Sequence, residues 1–410
     1  MKTLYIHVGT PKTGTSAIQS FLLDNQEVLE QKGYCYRLMP FAYQGKASRR
    51  RNAHFALEKV TNEVGEVDRD ATLKMVENGY QAVAQWLAEN ENVVLTDESY
   101  WRYLRGENWK ILERLIEIAK KNQAQVKIIV YLRRQDEFVV SLWKQNVREG
   151  RVMESCSSYL DNKSNRKVLN YAKRLQEFES YVGKENLIVR KYERGSFLGK
   201  TGTIFSDFLD ALGLEWTDEF VIQKEVVNES IGDNYVEILR VLNQLVTEGG
   251  GFDRYASDFF GQNAVMCSRT GQQENRYSMF SQEEQKVVWK KYEKSNESVK
   301  KAYFPKDQEL FTDTLTSHPR WTKDNPQMQE DIILYFGTML LQQQREHMQF
   351  QKDVQERLQD QEEQIKQLQT IIKQNKGELK ALKIFLKPIK WIWWKINKLK
   401  TMLFGKEKTT

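Results

Sequence analysis

The chain has 410 residues, 62 of them lysine or arginine against 56 acidic, for a net charge of +6, and 40% of the residues are hydrophobic. Such length and apolar content exclude wholesale disorder, while 29% charged residues predict a globular part joined to a long solvated part. Cys35, Cys156 and Cys267 lie far apart without a C-x-x-C pair, which excludes a disulfide framework and a cysteine-rich zinc site and fits a reducing compartment.

Leu4, Ile6 and Val8 alternate with Tyr5 and His7 up to a break at Gly9-Thr10-Pro11, and a helical pattern then runs through Ala17, Ile18, Phe21 and Leu22. The pattern is strand, loop, helix. Val93-Val94-Leu95 and Leu187-Ile188-Val189 have the composition of short buried strands between helix-like segments. Leu112, Leu115, Ile116 and Ala119 mark a helix leading into a strand over 126–132, after which Arg133-Arg134-Gln135-Asp136 opens another helical stretch. Alternating strands and helices predict an α/β fold, a P-loop-like parallel sheet flanked by helices, with functional groups on loops at the strands' carboxyl ends.

Helical periodicity continues over 230–320 (Val236, Leu239, Leu242, Leu245, then Val287, Val288, Trp289, Tyr292), interrupted at Gly249-Gly250-Gly251, and reads as an extension of the same domain. His318-Pro319 and Asn325-Pro326 bracket the boundary, which sets a first domain at 1–322, a long helix at 328–386 and a tail at 387–410. Val354, Leu358, Gln361, Ile365, Leu368, Ile372, Asn375, Leu379, Leu382 and Leu386 alternate spacings of four and three. These heptads predict a coiled coil about 50 Å long and a homo-oligomer through 354–386, without choosing between dimer and trimer.

From Lys376 onward ten lysines face two glutamates, a net of +8 that leaves the first 375 residues at −2. The basic character belongs to the tail, so nucleic acid is not an expected partner. Over 387–404, Ile389, Ile392, Trp393, Ile396, Leu399 and Leu403 form a helical stripe flanked by Trp391 and Trp394, opposite Lys390, Asn397, Lys398 and Thr401. Such a helix is suited to an anionic membrane surface. No apolar run reaches the roughly 18 residues a membrane span needs, and no secretory pattern opens the sequence. The expected location is therefore cytoplasmic, peripheral on the inner membrane surface.

The loop Gly9–Ser16 joins a strand to a helix amino terminus, where free N–H groups and the helix dipole favour an anion. Its glycines have Walker A spacing, but Thr15 stands where the nucleotide-binding lysine would be, and the only loop lysine is Lys12. Pro11-Lys12-Thr13-Gly14-Thr15-Ser16 after a first strand resembles the 5'-phosphosulfate loop of sulfotransferases that use 3'-phosphoadenosine 5'-phosphosulfate (PAPS). Arg133 at a strand end, with Ser141 eight residues later, resembles that family's grip on the 3'-phosphate. The likeness covers about residues 1 to 310 and looks closest to bacterial carbohydrate sulfotransferases, with further resemblance in Thr96-Asp97-Glu98-Ser99, Arg190-Lys191-Tyr192-Glu193 and Ser295-Asn296. The catalytic histidine and glycine-rich 3'-phosphate loop of the small-molecule branch are not placed here. The resemblance implies PAPS as co-substrate without a metal, Tyr192 at the adenine, and a carbohydrate hydroxyl as acceptor; with the tail, that acceptor is expected on a membrane-linked glycan or glycolipid.

Sulfuryl transfer needs charge neutralisation on the departing phosphate and a base for the attacking hydroxyl. Lys12 is the candidate for the first, with the N–H groups of Thr13 to Ser16 and the Thr15 and Ser16 hydroxyls on the 5'-phosphate. Glu98, just beyond the strand at 93–95, is the preferred base. His54 is the rival, an imidazole titrating near neutrality behind Arg49-Arg50-Arg51, which would attract an anionic glycan. His7 shares the polar parity of the first strand and could approach the loop, although a satisfied structural histidine is the preferred reading. Two other readings stay open: an atypical P-loop nucleotide kinase, against which the missing lysine after Gly14 counts, and a nucleotide-binding membrane-surface scaffold without turnover.

Overall fold

The structure, a computed structural model, describes residues 1–45, 47–222, 231–248, 254–270, 277–312, 314–374 and 383–404. Its centre is a strand buried on both faces, β1 (Lys2–His7), in which Leu4 and Ile6 have no exposure and Tyr5 and His7 almost none. Helix α1 (Thr15–Asp24) follows β1, then α2 (Gln26–Gln31) and a two-residue strand β2 (Tyr34–Cys35). Beyond a loop come α3 (Arg69–Glu89), β3 (Asn92–Thr96), α4 (Ser99–Tyr103), α5 (Trp109–Lys121) and β4 (Ala124–Leu132). The chain continues through α6 (Gln135–Arg148), α7 (Cys156–Asp161), α8 (Lys163–Leu169) and α9 (Tyr171–Val182) to β5 (Leu187–Lys191) and α10 (Ile204–Leu212).

The five strands form one parallel sheet in the order β2-β3-β1-β4-β5. β1 therefore lies between β3 and β4, and the loops after all three strands open at one carboxyl edge, where α/β sheets bind ligands. One face of the sheet packs Tyr5, Val94, Ile129 and Tyr131 against Ile18, Phe21 and Leu22 of α1 and Phe208, Leu209 and Leu212 of α10. On the other, α5 and α9 pack on β4, and α3 packs on β3.

The alternation of Leu4, Ile6 and Val8 with Tyr5 and His7 would leave one polar face, but helices cover both. Tyr5 instead donates its hydroxyl to the Leu212 carbonyl at 3.0 Å. His7 sits edge-on to Tyr131 and Phe208, with ring centroids 5.9 and 5.3 Å away, and does not reach the loop as its parity allowed. Burial lowers its pKa to about 3, so it is a neutral core residue whose ring nitrogens have no hydrogen-bond partner.

Helices α11 (Asp233–Glu248), α12 (Arg254–Thr270) and α13 (Gln282–Tyr303) pack on α6, and α13 also packs on α9. The Ser281-x-x-Glu284 capping box starts α13, its two side chains satisfying each other's backbone N–H groups. The glycine break at 249–251 lies outside the described residues. By its contacts the chain divides into Met1–Asp331 and Ile332–Thr410.

The second unit carries most of α14 (Met328–Gln374) and all of α15 (Lys383–Phe404). Of the heptad positions, Leu358 is buried, Val354, Ile365 and Ile372 are half-buried, and Gln361 and Leu368 are exposed. Asn375, Leu379 and Leu382 lie outside the described residues, as does the side chain of Leu386. Lys400 of α15 pairs with Glu362 of α14 at 3.3 Å. The tail helix begins at Lys383, ahead of Lys387-Pro388, and carries Pro388 inside it. No helix among the described residues is long and apolar enough to cross a membrane.

Candidate active site

The carboxyl edge of the sheet is locked by backbone bonds that run past the strand ends. Val8 and Thr10 donate to the carbonyls of Ile129 and Tyr131, each at 3.0 Å, and Tyr131 donates to Gly9 at 2.7 Å. Asp97 donates to His7 at 3.0 Å and Tyr192 to Leu132 at 2.7 Å. Since His7 pairs with Thr96, residues after β1 and after β3 emerge side by side. Gly9, at φ 108, is needed for this approach, because a Cβ there would lie 3.1 Å from Glu98 Cα.

The loop then folds on itself, with the Thr13 hydroxyl donating to the Thr10 carbonyl at 2.6 Å and both Lys12 and Gly14 at positive φ. Gly14 is the N-cap of α1, and neither a capping side chain nor an acidic residue occupies the first turn. The amino-terminal N–H groups of α1 are thus left for a ligand, with the helix dipole favouring an anion. Lys12, Gly14, Thr15 and Ser16 line a large open cavity together with Glu98, Arg133, Ser141, Arg148 and Tyr192. Burial, followed by the positive charges of Arg148 and Arg133, lowers the pKa of Lys12 against the opposing charges of Glu149 and Glu98.

Arg133 follows β4 directly. Its Nη1 donates to the Lys12 carbonyl at 3.1 Å, its Nε pairs with Glu137 at 3.0 Å, and the guanidinium lies 5.7 Å from the centroid of the Tyr192 ring. Tyr192 follows β5 in the same way, its ring stands edge-on to Phe197, and a Cβ on Gly14 would come within 3.2 Å of its Cε2. Ser141, two turns along α6 from the Arg133 end, faces the same cavity. Arg134 is not a ligand candidate: it pairs with Asp136 at 2.8 Å and donates to the carbonyls of Thr312 and Thr314. Ser295 and Asn296 have structural partners, Ser295 accepting from the Ala172 N–H and Asn296 exchanging bonds with Gln135.

On the opposite wall the segment 49–58 is stitched to the end of β3. Asn52 donates to the Val94 carbonyl at 3.0 Å and accepts from the Thr96 N–H at 2.8 Å, while Phe55 packs against Gly79 of α3, where a Cβ would collide with its ring. This brings Arg51 and His54 onto Asp97, a carboxylate with no solvent exposure. Asp97 accepts from Arg51 Nε at 3.1 Å, from the Ser99 N–H at 2.9 Å and from His54 Nδ1 at 2.9 Å. Burial alone would raise the Asp97 pKa, but the His54 hydrogen bond and the Arg51 charge outweigh it and hold the carboxyl ionised below its usual range.

His54 Nε2 faces Glu58 at 3.2 Å, so each of its ring nitrogens meets a carboxylate. The three arginines expected to attract a glycan are also engaged: Arg51 with Asp97, Arg50 with the Ser20 hydroxyl, and Arg49 with the Met39 carbonyl at 3.3 Å. Glu98 accepts from Gln19 at 3.2 Å and stands 3.4 Å from Arg51 Nε, yet keeps an opening to the cavity. Burial raises its pKa against the pull of Arg51, and the Asp97 charge adds to the rise.

The structure thus brings Pro11, Lys12, Gly14, Thr15, Ser16, Glu98, Arg133, Ser141 and Tyr192 to one cavity with His54, which sits within a carboxylate network. Thr13, by contrast, is buried with its hydroxyl turned to the Thr10 carbonyl and does not line the cavity. Sequence reading did not identify Arg148 or Phe197 as lining it, nor Gln19 as a partner of Glu98, and it singled out Asp97 only within the segment Thr96-Asp97-Glu98-Ser99. Among the described residues no group of three or more His, Cys, Asp or Glu is arranged to hold a metal.

No protein-family model matches the chain, and no curated protein matches it. Among solved structures it is similar to a sulfotransferase from Alicyclobacillus acidocaldarius, at 15% identity over 62% of this chain and 99% of that one, with a TM-score of 0.33. With likeness at that level, the function has to be read from the residues of the cavity themselves.

Proposed function

We propose that the chain is a sulfotransferase that moves the sulfuryl group of PAPS to a carbohydrate hydroxyl. The observation that carries the reading is the meeting, in one cavity, of an uncapped helix amino terminus with Lys12, the Arg133–Tyr192 stack with Ser141, and a carboxylate with a raised pKa, Glu98. The first would hold the 5'-phosphosulfate, the second the 3'-phosphate and adenine, and the third would face the acceptor.

The acceptor oxygen forms a bond to sulfur as the bond from sulfur to the bridging phosphate oxygen breaks. Glu98 takes the hydroxyl proton, and adenosine 3',5'-bisphosphate leaves with its new charge facing Lys12. A carboxyl whose pKa is raised by burial is a better proton acceptor than an exposed one. His54, with both ring nitrogens against carboxylates, supports the Asp97–Arg51 pair in this scheme instead of acting as the base. A membrane-linked glycan is the acceptor that suits the tail.

The test is calorimetric titration of the full chain with adenosine 3',5'-bisphosphate and with ATP, with and without magnesium. Magnesium-independent binding of the bisphosphate, weakened about 10-fold or more in Arg133→Ala through loss of a charge-assisted contact, is the expected result. Magnesium-dependent preference for ATP would overturn the reading in favour of a kinase, and binding of neither would leave a non-catalytic scaffold.

A further inference from the structure

Helix α15 contains six lysines and no acidic residue, and it leaves three tryptophans exposed. Trp391 and Trp394 are each 55% exposed and Trp393 is 47% exposed. Ile389 and Ile396 are half-buried and Lys400 is paired with Glu362, so the side of the helix carrying them is partly covered. At 3.6 residues per turn, Trp391, Met402, Leu399, Ile392 and Leu403 fall within an arc of about 120° on an open side, and all five are exposed. Lys395 Nζ lies 4.0 Å from the centroid of the Trp391 ring and Lys398 Nζ lies 5.2 Å from that of Trp394.

We propose that this open face docks on an anionic lipid surface, with α15 lying in the plane of the interface. Two features favour lipid over a protein partner. A protein interface would have to desolvate Lys395 and Lys398, which have no carboxylate partner among the described residues, whereas the headgroup layer keeps ammonium groups wet and supplies phosphate beside them. Tryptophan with an ammonium over its ring presents an apolar body and a polar edge at one level, the arrangement an interface accommodates. The helix contains no span-length apolar window, which is why it lies on the surface instead of crossing it. The inference is independent of the reaction proposed above, since it uses no residue of the cavity.

Flotation of the full chain with vesicles tests it, comparing phosphatidylcholine alone with mixtures containing phosphatidylglycerol. Binding is expected to require phosphatidylglycerol and to weaken with salt. Lys395→Glu together with Lys398→Glu should lower the affinity at least about 25-fold, from on the order of fivefold for each lysine at an anionic surface. Trp391→Ala with Trp394→Ala should also weaken binding without altering the far-ultraviolet circular dichroism, since both side chains are on the open surface. No flotation, or flotation unchanged in both variants, overturns the proposal. So does a fall in sedimented mass of the tryptophan variant without vesicles, which would assign the face to a second copy of the chain.

Discussion

His7 offers a quantitative test of the sheet's burial pattern, because this strand residue is neutral and sealed between Tyr131 and Phe208. An unfolded chain takes up a proton at this imidazole below about pH 6.5, whereas burial delays uptake in the folded chain to about pH 3. The unfolded state therefore binds more protons throughout that window, and stability must fall as the pH falls through it. The contribution is complete above about pH 6.5. Linkage with folded and unfolded pKa values of about 3 and 6.5 puts the loss by pH 5 at about 2 kcal/mol. His7→Phe, which keeps an aromatic ring among aromatic neighbours, removes this term. Urea unfolding of the full chain and the variant, each at about pH 7.5 and about pH 5, should show their stability difference shifting by about 2 kcal/mol in favour of the variant at the lower pH. Carboxylates titrating elsewhere cancel in that comparison. Stabilities that change in parallel would refute the reasoning and place a proton or a partner on His7 in the folded chain.

The carboxylate pair gives a second prediction: Glu98→Gln should lower the rate of sulfuryl transfer on the order of 100- to 10,000-fold while leaving bisphosphate affinity within about twofold. In Asp97→Asn the negative charge that helps raise the Glu98 pKa is gone and Arg51 is released toward Glu98, so the acid limb of kcat/KM should move to lower pH; a limb that moves to higher pH would exclude Glu98 as the group titrating there. Gly14→Ala must accept φ 72 and a Cβ 3.2 Å from the Tyr192 ring, which should cost about 1–2 kcal/mol in thermal stability and weaken bisphosphate binding together. An alanine variant with unchanged melting and affinity would show that the loop adopts another conformation.

The loop 9–16 was legible because its chemistry is local: two glycines, a lysine and four hydroxyl residues between a strand and a helix are all visible within eight residues. Arg133 and Ser141 stood out only through the resemblance to a family that has an arginine at a strand end and a serine eight residues later. Helices α11 and α13 showed through their apolar periodicity, whereas β2, with two residues at the sheet edge, is too short to carry a pattern. Arg51 was visible as a charge but not as the partner of Asp97, which lies 46 residues further along the chain.

The sequence by itself determined the alternation of strands and helices, the strand-loop-helix placement of the glycine- and lysine-containing first loop and the basic, tryptophan-rich nature of the tail, because each depends on the order of neighbouring side chains. Only the tertiary structure decided which charges remain available. The parallel register that sets His7 beside Thr96 also sets Gly9 beside Glu98, and the stitching of 49–58 onto β3 turns Arg51 and His54 inward onto Asp97. Burial then separates two adjacent carboxyls, holding Asp97 ionised by its donors and raising Glu98 where donors are fewer. That distinction comes from solvent exclusion and partners distant in the chain, neither of which is written in a run of adjacent residues.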